Sequence, residues 1–495
     1  MRIVVDATHC SDYALAPLPD GRSAFERLRE RVDSFQNTDR TVILTDRVEL
    51  PVPSAWARIA GEDWTLGAVL EAIASLESNA TDPIAYVACD TPFLDVGLAE
   101  RMASVHSRYY ADVSFQDGYP DGVAPLLLNG SIIPTLQSMQ EKHSLQWTRT
   151  ALLDLIQKDI NAFDVETELS PTDLRYLRLT LAADSKEGFE LCSRFAQFGP
   201  DGIEDILRIA TENAEILRLI PAYLTVQVVE QESQELSYSP YRLMRERPTA
   251  EGRAMPVAAF RTVLDQFREL NPSGTVGISL WGELALHPDP VGLIDAVGAT
   301  GLSLVCETSG VGFESPVLEA LADGPREFLT WIVGLDAVDP EVYRSLRGEG
   351  FEEAMAFVDW ALSHYSDQTY IQAVRLTETE EHLEEFYRTL KERTDHIIIQ
   401  KYDYFCGALP QRKVTDISPV LRRPCWHLKR DLAVLVDGTV PLCREDLHGE
   451  NGLGNAYEDG LSAVWARGEE PYRRHVQEDY PSLCERCDEY YTFNF

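Results

Sequence analysis

Short apolar runs alternate with amphipathic stretches along most of the chain. Over residues 1–195 the pattern predicts strands at 3–5, 42–45 and 84–89 and helices at 24–34 and 66–76. Such alternation of short strands with helices indicates an open α/β sheet. A polar, turn-forming stretch of Phe198, Gly199, Pro200, Asp201 and Gly202 interrupts the rhythm, and a helix-like segment follows to Leu219. Gly and Pro so clustered mark a boundary. From Tyr223 the alternation resumes, with strands predicted at 224–229, 275–280, 303–307, 330–335, 370–374 and 397–401. The clearest helix covers 256–270, where Phe260, Val263, Leu264 and Phe267 share one face and Pro256 opens the first turn. Their i, i+3, i+4, i+7 spacing is the helical period, and Pro is acceptable at a helix start. Repeated strand–helix units of this kind predict a partial or complete parallel β/α barrel. The remainder is short strands, turns and cysteines. The organisation expected is therefore 1–195, an α/β sheet; 196–221, a helical linker; 222–410, a β/α barrel; and 411–495, a small cysteine-rich domain.

At 495 residues the chain exceeds one ordinary core and should divide into two to four domains. Hydrophobic residues at 44% and aromatics at 9% suffice for globular packing. The 81 acidic against 44 basic side chains give a formal charge of −37. A surface so charged repels phosphate backbones and anionic lipid, so neither nucleic acid nor a membrane is expected as a partner. No 18-residue apolar run is present and the N-terminus lacks a secretion-signal pattern. Five of the nine cysteines (Cys10, Cys89, Cys192, Cys306, Cys406) are scattered and form no disulfide framework. A cytoplasmic protein is expected.

The other four cysteines carry most of the chemistry. Cys425, then Gly438 and Cys443, then the pair Cys484 and Cys487 can place four soft thiolates around one centre. Tetrahedral sulfur ligation selects an iron–sulfur cluster or zinc. Four ligands fill the site, which suits electron transfer or structure rather than substrate binding at the metal. His427, two residues after Cys425, reads as a packed or hydrogen-bonded residue rather than a fifth ligand.

Three middle segments resemble a radical S-adenosylmethionine (radical SAM) barrel. Trp281, Gly282, Glu283 and Leu284, preceded by Ser279 and Leu280, resemble the family's G-G-E-P segment. Glu307, Thr308, Ser309 and Gly310 resemble its E-T-N-G strand end, and Gly334 to Asp336 with Arg347 and Gly348 resemble a later strand and its R-G turn. The family's defining C-x-x-x-C-x-x-C follows the first strand; three thiolates hold a [4Fe–4S] cluster whose fourth iron binds SAM. Here those three positions are Glu232, Leu236 and Ser239. Leu cannot coordinate, and a neutral hydroxyl poorly replaces thiolate. Loss of SAM cleavage is the expectation, with Gly282 and Glu283 as a residual SAM contact or as ordinary strand-end residues.

The tail resembles the SPASM module, which begins with Cys, nine to fifteen residues, then Gly-x-x-x-x-Cys. Cys425, twelve residues, Gly438, four residues and Cys443 fit it, as do Cys484 and Cys487. Full members carry three further cysteines that are absent here, so the resemblance implies one auxiliary [4Fe–4S] cluster. Residues 1–195 look like a cytidylyltransferase-type nucleotidyltransferase with a GT-A-like sheet. Cys89, Asp90, Thr91 and Pro92 resemble its G-D-x-P strand end, and the stretch ending in Asp184 resembles a second carboxylate-bearing segment. The resemblance implies Mg²⁺ and nucleotide at Asp90 and Asp184, since hard oxygens suit that ion. The first loop departs from the family: it holds Asp6 and Asp12 but no base, with Arg22 the nearest cation. Acids there repel a triphosphate.

The whole arrangement resembles the spirochaete SPASM family. The implied function is an iron–sulfur protein that no longer cleaves SAM and acts on, or with, a peptide, protein or small-molecule partner. Two alternatives stay open. One is a Mg²⁺-dependent nucleotidyltransferase acting on a sugar or alcohol phosphate; the other is an active radical SAM enzyme using Glu232 and Ser239 as ligands.

Overall fold

The computed structural model describes residues 1–36, 38–47, 49–76, 83–241, 243, 253–278, 280–324, 326–415 and 418–492. Ser279 of the G-G-E-P-like segment lies outside the described residues. The chain divides into two compact units, Met1–Leu217 and Arg218–Phe495.

The first unit is built on seven strands among the described residues: β1 (Arg2–Ala7), β2 (Arg40–Thr45), β3 (Ala57–Ala60), β4 (Pro83–Ala88), β5 (Val113–Asp117), β6 (Leu126–Asn129) and β7 (Val165–Leu169). Their order is β3-β2-β1-β4-β6-β5-β7. β1 pairs parallel with β2 and β4, while β6 runs antiparallel to both β4 and β5. All six residues of β1 are buried, as an apolar run covered by helices on both faces must be. The expected strands at 3–5, 42–45 and 84–89 are β1, β2 and β4. Ser23 caps the helix Ala24–Asp33 through a reciprocal pair with Glu26, satisfying two amides that the helix itself cannot. The segment expected as a linker contains the helix Ile203–Glu212, which buries Ile203, Ile206, Leu207, Ile209 and Ala210.

In the second unit β8 (Tyr223–Val226), β9 (Thr275–Ile278), β10 (Ser303–Thr308), β11 (Leu329–Gly334), β12 (Thr369–Arg375) and β13 (Ile397–Lys401) neighbour one another in chain order. All pairings are parallel. Helices return the chain between strands, among them Val257–Leu270, whose buried face is Phe260, Val263, Leu264 and Phe267. Pro256 stands one residue outside that helix as its N-cap. Trp331 of β11, fully buried, meets Phe313, Phe357 and Tyr365 edge-on. Such T-shaped contacts add about 0.5–1.5 kcal/mol each beyond area burial.

The tail then joins this sheet. β14 (Asp431–Val434) pairs parallel with β8, so β13 and β14 are the edges among the described residues. The barrel is thus partial. A short ladder of β15 (Thr439–Val440) with β16 (Gly454–Asn455) completes the tail's strands. Gly438, at φ +83°, turns β14 into β15; a Cβ there would lie 2.4 Å from the Tyr457 ring. Only glycine fits, and the turn delivers Cys443.

Candidate functional site

The four cysteines of the tail converge. Cys425 precedes the helix Trp426–Arg430 as its N-cap. Cys484 lies in the helix Ser482–Glu485, and the amide of Cys487 returns to the Cys484 carbonyl at 3.2 Å. The Glu489 amide donates to Cys487 Sγ at 3.3 Å. Cys425 and Cys484 are buried in an apolar pocket with Leu428, Leu442, Tyr472 and Tyr490. Burial, and the negative charge of its neighbours, push the Cys425 and Cys443 thiols well up and Cys484 up to about 12. Thiols raised in this way ionise when a metal cation balances them. The donors therefore fit a thiolate-ligated metal group.

His427 is occupied elsewhere. Its Nδ1 lies 2.6 Å from Asp431 Oδ2 and its Nε2 lies 3.2 Å from Thr492 Oγ1. Burial alone would lower its pKa, but the Asp431 carboxylate outweighs that and raises it. A fifth thiol, Cys406, does reach the site: its interaction with Cys487 holds the Cys487 thiol down at about 7. Sequence spacing gave no sign of it, because Cys406 belongs to the loop after β13. Phe405, Cys406 and Gly407 all have positive φ there.

The same loop borders the barrel mouth, a cavity of about 200 Å³ at the C-terminal ends of the strands. Glu232, Leu236 and Ser239 all line it, with Gly282, Glu283, Arg347, Lys401, Asp403 and Arg444. Ser239 donates to Glu232 Oε1 at 2.7 Å and accepts from the Tyr241 amide at 3.1 Å. A carboxylate, a hydroxyl so engaged and an alkyl group do not fit a [4Fe–4S] cluster. Opposite them Arg347 donates to Asp336 at 2.6 Å, to Gln234 at 3.3 Å and to Tyr238 at 3.2 Å, and Tyr238 donates to Asp336.

Glu283 is committed within the chain. Oε1 accepts from Thr308 at 2.6 Å, and Oε2 accepts from the Ser309 amide at 2.8 Å and its hydroxyl at 2.6 Å. Burial raises its pKa despite these donors. The two motif-like segments thus clasp each other. Glu283→Gln puts an amide donor against donors and is expected to cost about 1–3 kcal/mol, read as a lower urea midpoint. Gly282 is needed for space: a Cβ would stand 1.8 Å from the Val229 carbonyl. Gly282→Ala should destabilise by at least about 2 kcal/mol in the same titration.

Residues flanking the cysteines reach the mouth. Lys401 at the end of β13 pairs with Asp488 at 3.0 Å and with Glu489, and Lys413 pairs with Asp488. Arg444, next to Cys443, lies 3.3 Å from Glu445 and 3.8 Å from Asp403. Burial raises the carboxyls of Asp403 and Glu445.

In the first unit the structure brings Asp90 and Asp184 together, and a guanidinium holds them. Arg149 Nε donates to Asp184 Oδ2 at 3.1 Å and its Nη2 donates to Asp90 Oδ2. In the first loop Asp6 accepts from the Thr8 amide at 2.9 Å and hydroxyl at 2.7 Å, and from Tyr86. His9 stacks on Trp147, ring centroids 3.7 Å apart. Arg22 is spent on Asp20 and Glu30, both at 2.6 Å.

Residues 10–156 match the family model of the MobA-like NTP transferase domain, and residues 425–488 match that of SPASM, an iron–sulfur cluster-binding domain. An uncharacterized protein of Treponema pallidum (strain Nichols) is 35% identical over 359 residues, covering 70% of this chain and 98% of that protein. Among solved structures, Streptococcus suis SuiB bound to S-adenosylmethionine is 14% identical, covering 61% of this chain and 84% of its own, at a TM-score of 0.44. A cytidylyltransferase from Leptospira borgpetersenii is also 14% identical, covering 43% of this chain and 94% of its own, at a TM-score of 0.36. The matched domains define a chain with a nucleotidyltransferase-like N-terminal unit and a C-terminal SPASM iron–sulfur cluster-binding domain. The chain belongs to the spirochaete SPASM family, together with the Treponema protein. No helix among the described residues is long and apolar enough to cross a membrane.

Proposed function

We propose that Cys425, Cys443, Cys484 and Cys487 hold a single [4Fe–4S] cluster and that the barrel mouth no longer cleaves SAM. One contrast carries this reading: four convergent thiols in the tail, against Glu232, Leu236 and Ser239 at the mouth. A thiolate-capped cluster supplies one-electron transfer or cross-linking, with no iron open to substrate. The chain's own groups tune the site. The Glu489 amide donates to Cys487 sulfur, which favours the reduced form.

Lys401, Asp403 and Arg444 connect the surroundings of the cysteines to the mouth. That cavity, small and mixed in charge, suits a polar small molecule or one side chain of a peptide or protein partner. Nucleic acid and membranes remain poor partners for a charge of −37. Nine unpaired thiols suit the reducing cytoplasm. The test is anaerobic incubation of reduced protein with SAM, followed by chromatography for 5′-deoxyadenosine. None above the protein-free control is expected; catalytic formation would overturn the proposal.

A further inference from the structure

The family resemblance implies Mg²⁺ at Asp90 and Asp184, but their surroundings do not fit it. Magnesium demands near-octahedral oxygen ligands at about 2.0–2.1 Å. Here the carboxylates instead grip one planar guanidinium, with Arg149 Nε 3.1 Å from Asp184 and Nη2 against Asp90. Asp90 is buried, with a side chain only 7% exposed, and Arg149 is 24% exposed. Arg149 cannot be deprotonated to make room for a second cation. We infer that Arg149 is the resident cation of this unit, standing where a divalent ion would have to bind, so that its ligand is taken without Mg²⁺ and is not a nucleoside triphosphate.

Other cations around the site are paired as well. Arg47 pairs with Asp12 at 2.8 Å, Arg27 with Asp20 at 2.8 Å, and Arg22 with Asp20 and Glu30. A triphosphate brings several negative charges, and Asp6 and Asp12 of the first loop add to them. Burial raises the Asp121 carboxyl, and the charge of Arg149 partly offsets that. Arg149 thus balances acids that a metal would otherwise balance, and one guanidinium cannot also neutralise a polyphosphate. An uncharged or singly charged ligand is the class this arrangement admits.

Manganese(II), titrated into full-length oxidised protein and followed by the electron paramagnetic resonance signal of free Mn²⁺, tests the inference. Wild type is expected to hold no Mn²⁺ that Asp90→Asn removes; weak binding to the acidic surface survives that substitution. Arg149→Ala should gain one site per chain, at least about tenfold tighter than any in wild type, and Arg149→Ala with Asp90→Asn should lose it. Arg149→Gln, which keeps a polar side chain in place, repeats the test if the alanine variant does not fold. A wild-type site abolished by Asp90→Asn, or no gained site in a folded Arg149 variant, overturns the inference.

Discussion

Cys484→Ala is expected to yield protein that cannot be reconstituted to a stable brown form, with iron falling from about four per chain to below about one. The reason lies in the pocket. Cys484 is 5% exposed and sits with Cys425 in an apolar pocket, so its removal leaves one iron uncapped where water reaches poorly, and the remaining thiolates lack a full complement of positive charge. Cys425→Ala should behave alike. Cys406→Ser provides the contrast: Cys406 lies outside the four-cysteine pattern and interacts most strongly with Cys487, so the cluster should persist with its iron count unchanged. Iron and sulfide determination with the visible spectrum reads all three variants. Retention of four irons by Cys484→Ala, or their loss in Cys406→Ser, would redraw the ligand set.

The second large effect concerns the ion pair beneath the barrel mouth. Arg347 and Asp336 are 2.6 Å apart with side chains 6% and 0% exposed. Arg347→Met leaves the Asp336 carboxylate buried without its cation and removes the bonds to Gln234 and Tyr238. Breaking such a pair from one side costs about 3–5 kcal/mol, whereas replacing both partners restores much of the loss. Arg347→Met should therefore lower the urea midpoint strongly, and Arg347→Met with Asp336→Leu should recover part of it. A surface pair such as Arg388–Glu384, 76% and 75% exposed, is worth no more than about 0.5 kcal/mol. Equal effects from the two pairs would refute a structural role for the buried network.

Legibility followed burial. β1, β2, β4 and β10 to β12 were readable because apolar runs in the sequence coincide with buried strands. β3, which alternates half-buried and exposed residues, and the Glu-bearing β7 carry no such run. β14 joins β8 from across the whole barrel, a pairing that no local pattern encodes. The four cysteines were legible in the sequence because a Gly-x-x-x-x-Cys turn and a C-x-x-C pair are short-range signatures of thiolate ligation. Arg149 was not, since its partners lie 59 and 35 residues away. Nor was Cys406, whose approach to Cys487 depends on the left-handed loop after β13. Asp90 and Asp184 illustrate the limit: their meeting was expected from the sequence, while the identity of the cation between them required the fold.

The most direct measurement is anaerobic reconstitution of full-length protein, with iron and sulfide counted against chain concentration and the dithionite-reduced sample examined by electron paramagnetic resonance. Four irons, four sulfides and one low-spin [4Fe–4S] signal per chain, unchanged by SAM, are predicted. Eight irons with a second signal that shifts on adding SAM would contradict the account.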